Sequence, residues 1–486
     1  MSRRPRSPRT ARALVARTVA ALAAAHLACA PTPAAAAASA PPRLPERVSH
    51  GRFQDLAIYA PGGTPTSLVL FLADDTRPNS RAAGLARELV AHGAMVAGID
   101  WPKLAANLEA DAADCVFLDG DLENLSHFLQ AYYHLPSYLP PFLLGSGAGS
   151  PFAYASLVQA PGNTFAGALT LEFYPSTELT KPLCKGSGVE FTRRSSGGGF
   201  AFLPAKQLEN PWVLLQGERD SVFPPAAARE FIASMRGAAL VVLPGLGHEA
   251  PAGELPALAA AFDTLVKRTA ARLASPPPVA LGNLPVIELP AAPGTAPTDS
   301  FAIVMSGDGG WAGLDKDVAQ ALSAHGIPVV GLDSLRYFWS TRTPEGLAAD
   351  TDRMIRYYLE HLGKKHVLLV GYSQGADVLP FAVNRLPAAT RAHVALTVLM
   401  GMSEHAVFEF HVSNWISDDN SGPATRPEVE RMSATPVLCI YGEGDNDSLC
   451  PKLDPSKVRI VEMKGGHHFD GDYAGLAREI LASAAR

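Results

Sequence analysis

GYSQGAD, residues 371–377, stands between HVLLV at 366–370, which reads as a short buried strand, and a run that continues as a helix from Ala376 toward Leu386. Gly371, Ser373 and Gly375 spell G-x-S-x-G at that junction. A strand that turns straight into a helix crowds the backbone around the central residue, so the residues two before and two after it must lack side-chain bulk. Ser373 is then held above the carboxyl edge of a sheet, with a helix N-terminus beneath it that favours negative charge. In a chain with 42 glycines the pattern alone is weak. Its placement between strand and helix is what makes Ser373 a candidate nucleophile.

Working outward, the chain repeats itself. LVAHGAMVAGID at 89–100 and LSAHGIPVVGLD at 322–333 agree at seven of twelve positions and share a helix, a glycine turn, a strand and a terminal aspartate. Upstream of each lies an apolar strand running into a polar loop, Leu68–Asp75 and Phe301–Gly310. Downstream, the strand Pro141–Leu144 leads to GSGAG at 145–149 as His366–Val370 leads to GYSQG. Trp212–Gln216 is followed by GERD at 217–220 and Val437–Tyr441 by GEGD at 442–445. Leu240–Leu243 leads to GLGH at 245–248, and Val458–Met463 to GGHH at 465–468. Strands alternating with helices predict an α/β fold with two tandem α/β-hydrolase-like domains, each a mostly parallel sheet with helices on both faces. Residues 44–272 form the first and 284–486 the second, with a proline-rich linker at 273–283 and Leu284–Leu289 as the opening strand of the second. The glycine-rich stretch Gly186–Gly199 and the polar stretch Ser417–Pro427 read as surface loops.

Acyl transfer by serine requires a base, an acid that orients it, and donors for the oxyanion. The second half supplies them in the order Ser373, Asp445, His467, with Asp447 in the same loop as an alternative acid and His468 as an alternative base. His467 fits better, because Gly466 frees the turn in Gly466-His467-His468-Phe469. The oxyanion is expected on the N–H of Gln374 and on an N–H of the loop SGDGGW at 306–311, at Asp308 or Gly309. That loop lacks the lysine and helix-start spacing of a phosphate-binding loop. In the first half the central residue of GSGAG is Gly147, which has no nucleophile, although Asp220 and His248 remain. Ser146 and Ser150 lie off the apex. The first half therefore reads as a degenerate copy.

Composition sets outer limits. The chain has 486 residues, 47% hydrophobic and 18% charged, with a net charge of −6, which fits globular protein and argues against nucleic acid as a partner. Arg3, Arg4, Arg6, Arg9 and Arg12, the apolar run Ala13–Ala28 and Ala38-Ser39-Ala40 read as a signal peptide over residues 1–40 and predict export. A membrane anchor is disfavoured because the apolar run is short and interrupted by Arg17. Leu27-Ala28-Cys29 hints at lipid attachment, but His26 stands where an apolar residue is expected. Cys115, Cys184, Cys439 and Cys450 remain after cleavage, two in each half, which in an exported protein predicts the disulfides Cys115–Cys184 and Cys439–Cys450. No metal-ligand spacing is present and no cofactor is expected.

SGDGGW (306–311), GLDSLRYFW (331–339), GYSQGADVLP (371–380) and GGHHFDGDY (465–473), with the duplicated plan, resemble the bacterial VirJ/AcvB virulence-protein family. The resemblance implies a periplasmic hydrolase that cleaves the aminoacyl ester of lysyl-phosphatidylglycerol, a membrane substrate, with Ser373 as nucleophile and His467 as base. The cationic lysyl group would want a carboxylate near the nucleophile; Asp377, Asp308 and Asp333 fall at or near strand ends, although Asp377 also suits a first helical turn. Tyr337, Phe338 and Trp339 are candidate lipid contacts, with Trp339 the one expected to bind substrate. Two other readings compete: a generic periplasmic esterase or peptidase, and a non-catalytic binding protein associated with secretion-system proteins.

Overall fold

The computed structural model describes residues 45–485 apart from 163, 185–187, 196, 249–252, 274–280, 283, 411–421 and 433. The expected signal peptide with Cys29 lies outside the described residues, as do most of the proline-rich linker and residues 417–421 of the polar loop.

Runs such as SLVLFLA alternate their side chains between two faces, and both faces are apolar, which is the signature of a strand covered on both sides. In the first sheet Leu68, Leu70 and Leu72 point into one core with Leu122, Leu125 and Phe152. Val69 and Phe71 point into the other with Leu85, Leu89 and Phe262. The helices Leu118–Tyr132 and Ser150–Gln159 thus cover one face, and Arg81–Ala91 and Leu255–Leu273 the opposite one. This sheet has eight strands in the spatial order Glu46–His50, Phe53–Tyr59, Ala94–Asp100, Ser67–Ala73, Phe142–Ser146, Gly167–Leu171, Gln207–Gly217, Arg236–Leu243. Phe53–Tyr59 pairs antiparallel with both its neighbours, Glu46–His50 and Ala94–Asp100, and the pairings from Ala94–Asp100 onward are parallel.

The second sheet repeats the plan with seven strands: Val286–Leu289, Val329–Leu332, Ser300–Met305, His366–Tyr372, Val394–Met400, Val437–Gly442, Arg459–Met463. Only Val286–Leu289 is antiparallel. Gly313–Ala324 and Tyr473–Ala484 pack on one face, Pro344–His361 and Gln374–Arg385 on the other. The expected α/β fold, with two mostly parallel sheets that each carry helices on both faces, is what the chain adopts.

Both expected disulfides are present, Cys115–Cys184 and Cys439–Cys450. The stretch 186–199 departs from the expected loop. Phe191–Arg193 pairs with Phe200–Phe202, itself paired with Ser176–Thr177, in a small antiparallel sheet. Phe191 and Phe200 meet at 5.2 Å, and this aromatic contact outweighs the turn-forming composition between them. The two large sheets belong to one compact unit from Pro45 onward. Trp339 Nε1–H donates to the Leu135 carbonyl at 2.7 Å, Lys316 pairs with Glu209, and His127 meets Phe410 edge-on at 5.5 Å.

Candidate active site

The strand His366–Tyr372 ends at Ser373, which takes φ 49° and ψ −120°, and the helix Gln374–Arg385 begins at the next residue. A positive φ is costly for a residue with a side chain and is tolerated where surrounding structure enforces it. Here the enforcement is visible. A Cβ on Gly375 would come within 2.2 Å of the Met305 carbonyl oxygen, so the elbow packs backbone to backbone against the neighbouring strand. The helix starts two residues earlier than its sequence pattern indicates, because the elbow turn is itself its first turn.

His467 comes to the serine from the loop after Arg459–Met463, and Asp445 from the loop after Val437–Gly442. His467 Nδ1 lies 2.9 Å from Asp445 Oδ2, and Nε2 lies 3.1 Å from Ser373 Oγ. An ionised carboxylate only accepts, so Nδ1–H donates to Asp445 and Nε2 is left to accept from the Ser373 hydroxyl. Asp445 is nearly buried and the imidazole is open to solvent at its edge, 9% against 36% exposed. Asp447 is exposed, and the carboxylate on His467 Nδ1 is that of Asp445, so of the two expected acids it is Asp445 that joins the chain. His468 instead bonds the Tyr372 hydroxyl at 3.1 Å, and burial lowers its pKa.

Gln374 occupies the first helical position after Ser373, and its side chain donates to the Val407 carbonyl at 3.1 Å. Gly307 is the loop residue against the elbow: a Cβ there would sit 3.5 Å from Ser373 Cβ. The carboxyl of Asp308 turns back on the N–H groups of Asp308 and Gly309, and it lies close enough to His467 to interact with its charge. Burial raises the Asp308 pKa.

Asp377 and Asp333 are also brought to this edge, but each is engaged with backbone. Asp377 Oδ1 accepts from Ser403 N–H at 2.7 Å, and burial pushes its pKa well up. Asp333 caps the short helix Ser334–Tyr337 through Arg336 N–H at 3.1 Å. Tyr337 and Phe338 are fully buried core residues, a correction to their expected contact with lipid. Trp339 stacks on Phe410 at 5.0 Å and lines a pocket of 450 Å³ with Phe128, Tyr132 and Leu135 of the first half.

Three residues near the chain were not legible as site residues. Gly401 has φ 61°, and a Cβ on it would come within 2.9 Å of His467 Cε1, so this glycine makes room for the imidazole. Asp315 is buried beneath the 306–311 loop, where Gly307 N–H is directed to its carboxyl, and burial raises its pKa well above the usual range. Tyr372, inside GYSQG, lies with its ring 5.3 Å from that of His467. Only Tyr372 had a signal, its place next to the nucleophile. Among the described residues, no group of three or more His, Cys, Asp or Glu side chains is arranged to hold a metal ion.

Residues 299–486 match the family model described as bacterial virulence protein (VirJ). Over these residues the chain is similar to the VirJ family, and this stretch is its VirJ-like domain. The four runs that resemble this family all fall within the matched residues, and the Ser373–His467–Asp445 chain lies entirely inside them. No curated protein matches the chain. Among solved structures, an alpha-beta serine hydrolase homologue from Coxiella burnetii is 15% identical, covering 46% of this chain and 96% of its own, with a TM-score of 0.30. Est1E from Butyrivibrio proteoclasticus, with ferulic acid bound, is 13% identical over 41% of this chain and 95% of its own, with a TM-score of 0.31. MenH from S. aureus is 12% identical over 41% and 97%, with a TM-score of 0.32. Each matches less than half of this chain and carries no information on the chemistry of the VirJ-like domain.

Proposed function

We propose that the chain is a serine hydrolase of the bacterial envelope that cleaves the aminoacyl ester of lysyl-phosphatidylglycerol to lysine and phosphatidylglycerol. The observation that carries this reading is the hydrogen-bonded chain from Ser373 through His467 to Asp445 at a strained elbow of a VirJ-like domain. Ser373 Oγ attacks the aminoacyl carbonyl as His467 Nε2 takes its proton, and Asp445 stabilises the imidazolium that forms. The tetrahedral oxyanion is taken by Gln374 N–H and by a donor of the 306–311 loop, where Asp308 or Gly309 supplies it once the Asp308 carboxyl turns outward. The glycerol oxygen leaves with the proton from His467, and water then releases lysine from Ser373 by the same steps.

An aminoacyl group brings an ammonium, and Asp308, beside His467, is the carboxylate best set to meet it; Asp377 supports it from deeper in the domain. Asp333 acts through the helix it caps. Trp339, on the apolar pocket, is the proposed contact for the lipid portion. Export to the periplasm is supported by the two disulfides, and among the described residues no helix is long and apolar enough to cross a membrane.

The test is lipid analysis of bacterial membranes with the protein, without it, and with Ser373→Ala. Lysyl-phosphatidylglycerol is expected to fall only when Ser373 is present. Unchanged aminoacyl-lipid levels would sink this substrate and leave the generic esterase or peptidase reading, which turnover of short acyl esters or peptides would then support. A cellular role that survives Ser373→Ala intact would instead favour a binding protein.

A further inference from the structure

The two halves differ at a coupled pair of positions. In the first sheet Leu72 pairs with Gly145, and in the second Met305 pairs with Gly371. Gly145 and Gly371 each open their elbow motif, so Asp74 stands where Gly307 does, Gly147 where Ser373 does, and Ala148 where Gln374 does. Gly147 has φ 55°, close to the 49° of Ser373, and the elbow turn is therefore kept. A Cβ on Gly147 would lie 1.9 Å from Asp74 Oδ2. The Asp74 carboxylate thus fills the volume that belongs to the serine side chain in the other half. A loop glycine and an elbow serine have been replaced by a loop aspartate and an elbow glycine.

The groups around that carboxylate are those of a hydrolytic site. Ala148 N–H, the counterpart of Gln374 N–H, donates to Asp74 Oδ1 at 3.2 Å and Oδ2 at 3.4 Å. His248 Nδ1 lies 2.8 Å from Asp220 Oδ2, matching the 2.9 Å between His467 and Asp445. Asp220 is fixed further by Gln216 Nε2 and the N–H groups of Val222 and Phe223. With Nδ1 on Asp220, Nε2 of His248 is the ring nitrogen left for a reaction. Asp74 is exposed, and it is near enough to His248 for the charge of one to act on the other. Desolvation of the carboxyl against the elbow raises the Asp74 pKa, as does the charge of Asp100, while Ala148 N–H, Arg81 and His248 favour the carboxylate.

We propose that the first half is a second reactive site in which the Asp74 carboxylate is the nucleophile and the His248–Asp220 pair is the base. A carboxylate attacks an activated saturated carbon and becomes an ester, which water then splits. The substrate class is therefore an epoxide or alkyl halide. With an epoxide, one Asp74 oxygen bonds a ring carbon as the ring C–O bond breaks, and the alkoxide takes a proton from water and leaves hydroxide; with an alkyl halide the same attack expels halide ion. His248 Nε2 then removes a proton from a second water, whose oxygen attacks the Asp74 carboxyl carbon, with the oxyanion held by Ala148 N–H. The tetrahedral intermediate collapses by breaking the bond between Asp74 Cγ and the oxygen that carries the substrate; the alkoxide so released takes the proton from His248, the Asp74 carboxyl gives its own proton to the hydroxide left by the first water, and the net reaction is epoxide plus water to a vicinal diol. The oxygen from water stays in the Asp74 carboxylate.

The test uses the full chain carrying Ser373→Ala, so that the VirJ-like domain cannot react, with styrene oxide and butyl bromide as probes. With His248→Gln added, peptide mapping is expected to find the alkyl adduct accumulating on Asp74. With His248 intact, turnover in heavy-oxygen water should place the label in Asp74. Asp74→Asn should reduce both signals to background. No adduct on Asp74 with either probe and no heavy oxygen in its carboxylate overturns the proposal, as does an adduct that persists in Asp74→Asn. Asp74→Asn and His248→Gln made with Ser373 present should still turn over p-nitrophenyl acetate, which separates loss of this chemistry from loss of fold. Failure here leaves the aminoacyl-lipid reading standing, since that rests on Ser373.

Discussion

Asp445 and Asp447 share one short loop, yet only Asp445 reaches His467, at 2.9 Å. Asp445→Asn should lower kcat by roughly 10⁴-fold, because an amide facing Nδ1 no longer enforces the tautomer that leaves Nε2 free to accept. Asp447→Asn should leave kcat near that of the wild type. Steady-state kinetics on a soluble acyl ester separates the two, and equal losses would contradict the assignment. Gly401 extends the argument to a residue that makes no polar contact with the chain. Its missing Cβ leaves the space used by His467 Cε1, and φ 61° is unfavourable for any replacement. Gly401→Ala should displace the imidazole and cost about 10²-fold in kcat, the usual penalty for moving a reacting group by an ångström.

At the scale of elements, the strand–elbow–helix unit at 366–385 was legible because its information is local: an apolar run, small residues flanking Ser373, and a helical pattern after it. The duplicated order of acid and histidine loops was legible for the same reason. The place of Asp74 was not, because it depends on how Ser67–Ala73 registers against Phe142–Ser146. Nor was the role of the first-half helix Leu118–Tyr132. Burial pushes Glu123 on that helix up to about 7, helped by the charges of Asp119 and of Asp308 from the VirJ-like domain, while Thr164 Oγ1–H donates to it at 3.4 Å. A carboxyl whose folded pKa is raised favours the fold below its unfolded value of 4.5, and that contribution is lost as pH rises through about 7. Glu123→Gln keeps the neutral form at every pH. Its stability relative to the wild type should therefore increase between about pH 5 and about pH 8, read from thermal melts at the two values. A difference that stays constant would show that Glu123 is ionised in the fold.

For the whole molecule, the two sheets share one plan, and each half carries its own disulfide. Cys115–Cys184 closes a separation of 69 residues and Cys439–Cys450 one of 11. Loop-closure entropy then gives them about 4 and about 3 kcal/mol, so Cys115→Ser should lower resistance to denaturant more than Cys450→Ser. The reverse order in equilibrium unfolding would show that local packing, not chain constraint, dominates. The central claim concerns Ser373 acting on an aminoacyl lipid, and lysine release from lysyl-phosphatidylglycerol vesicles by the purified chain tests it most directly. The wild type should release lysine, and Ser373→Ala should do so at least about 10³-fold more slowly. Equal release by both proteins, or no release by a wild type that turns over p-nitrophenyl acetate, would contradict it.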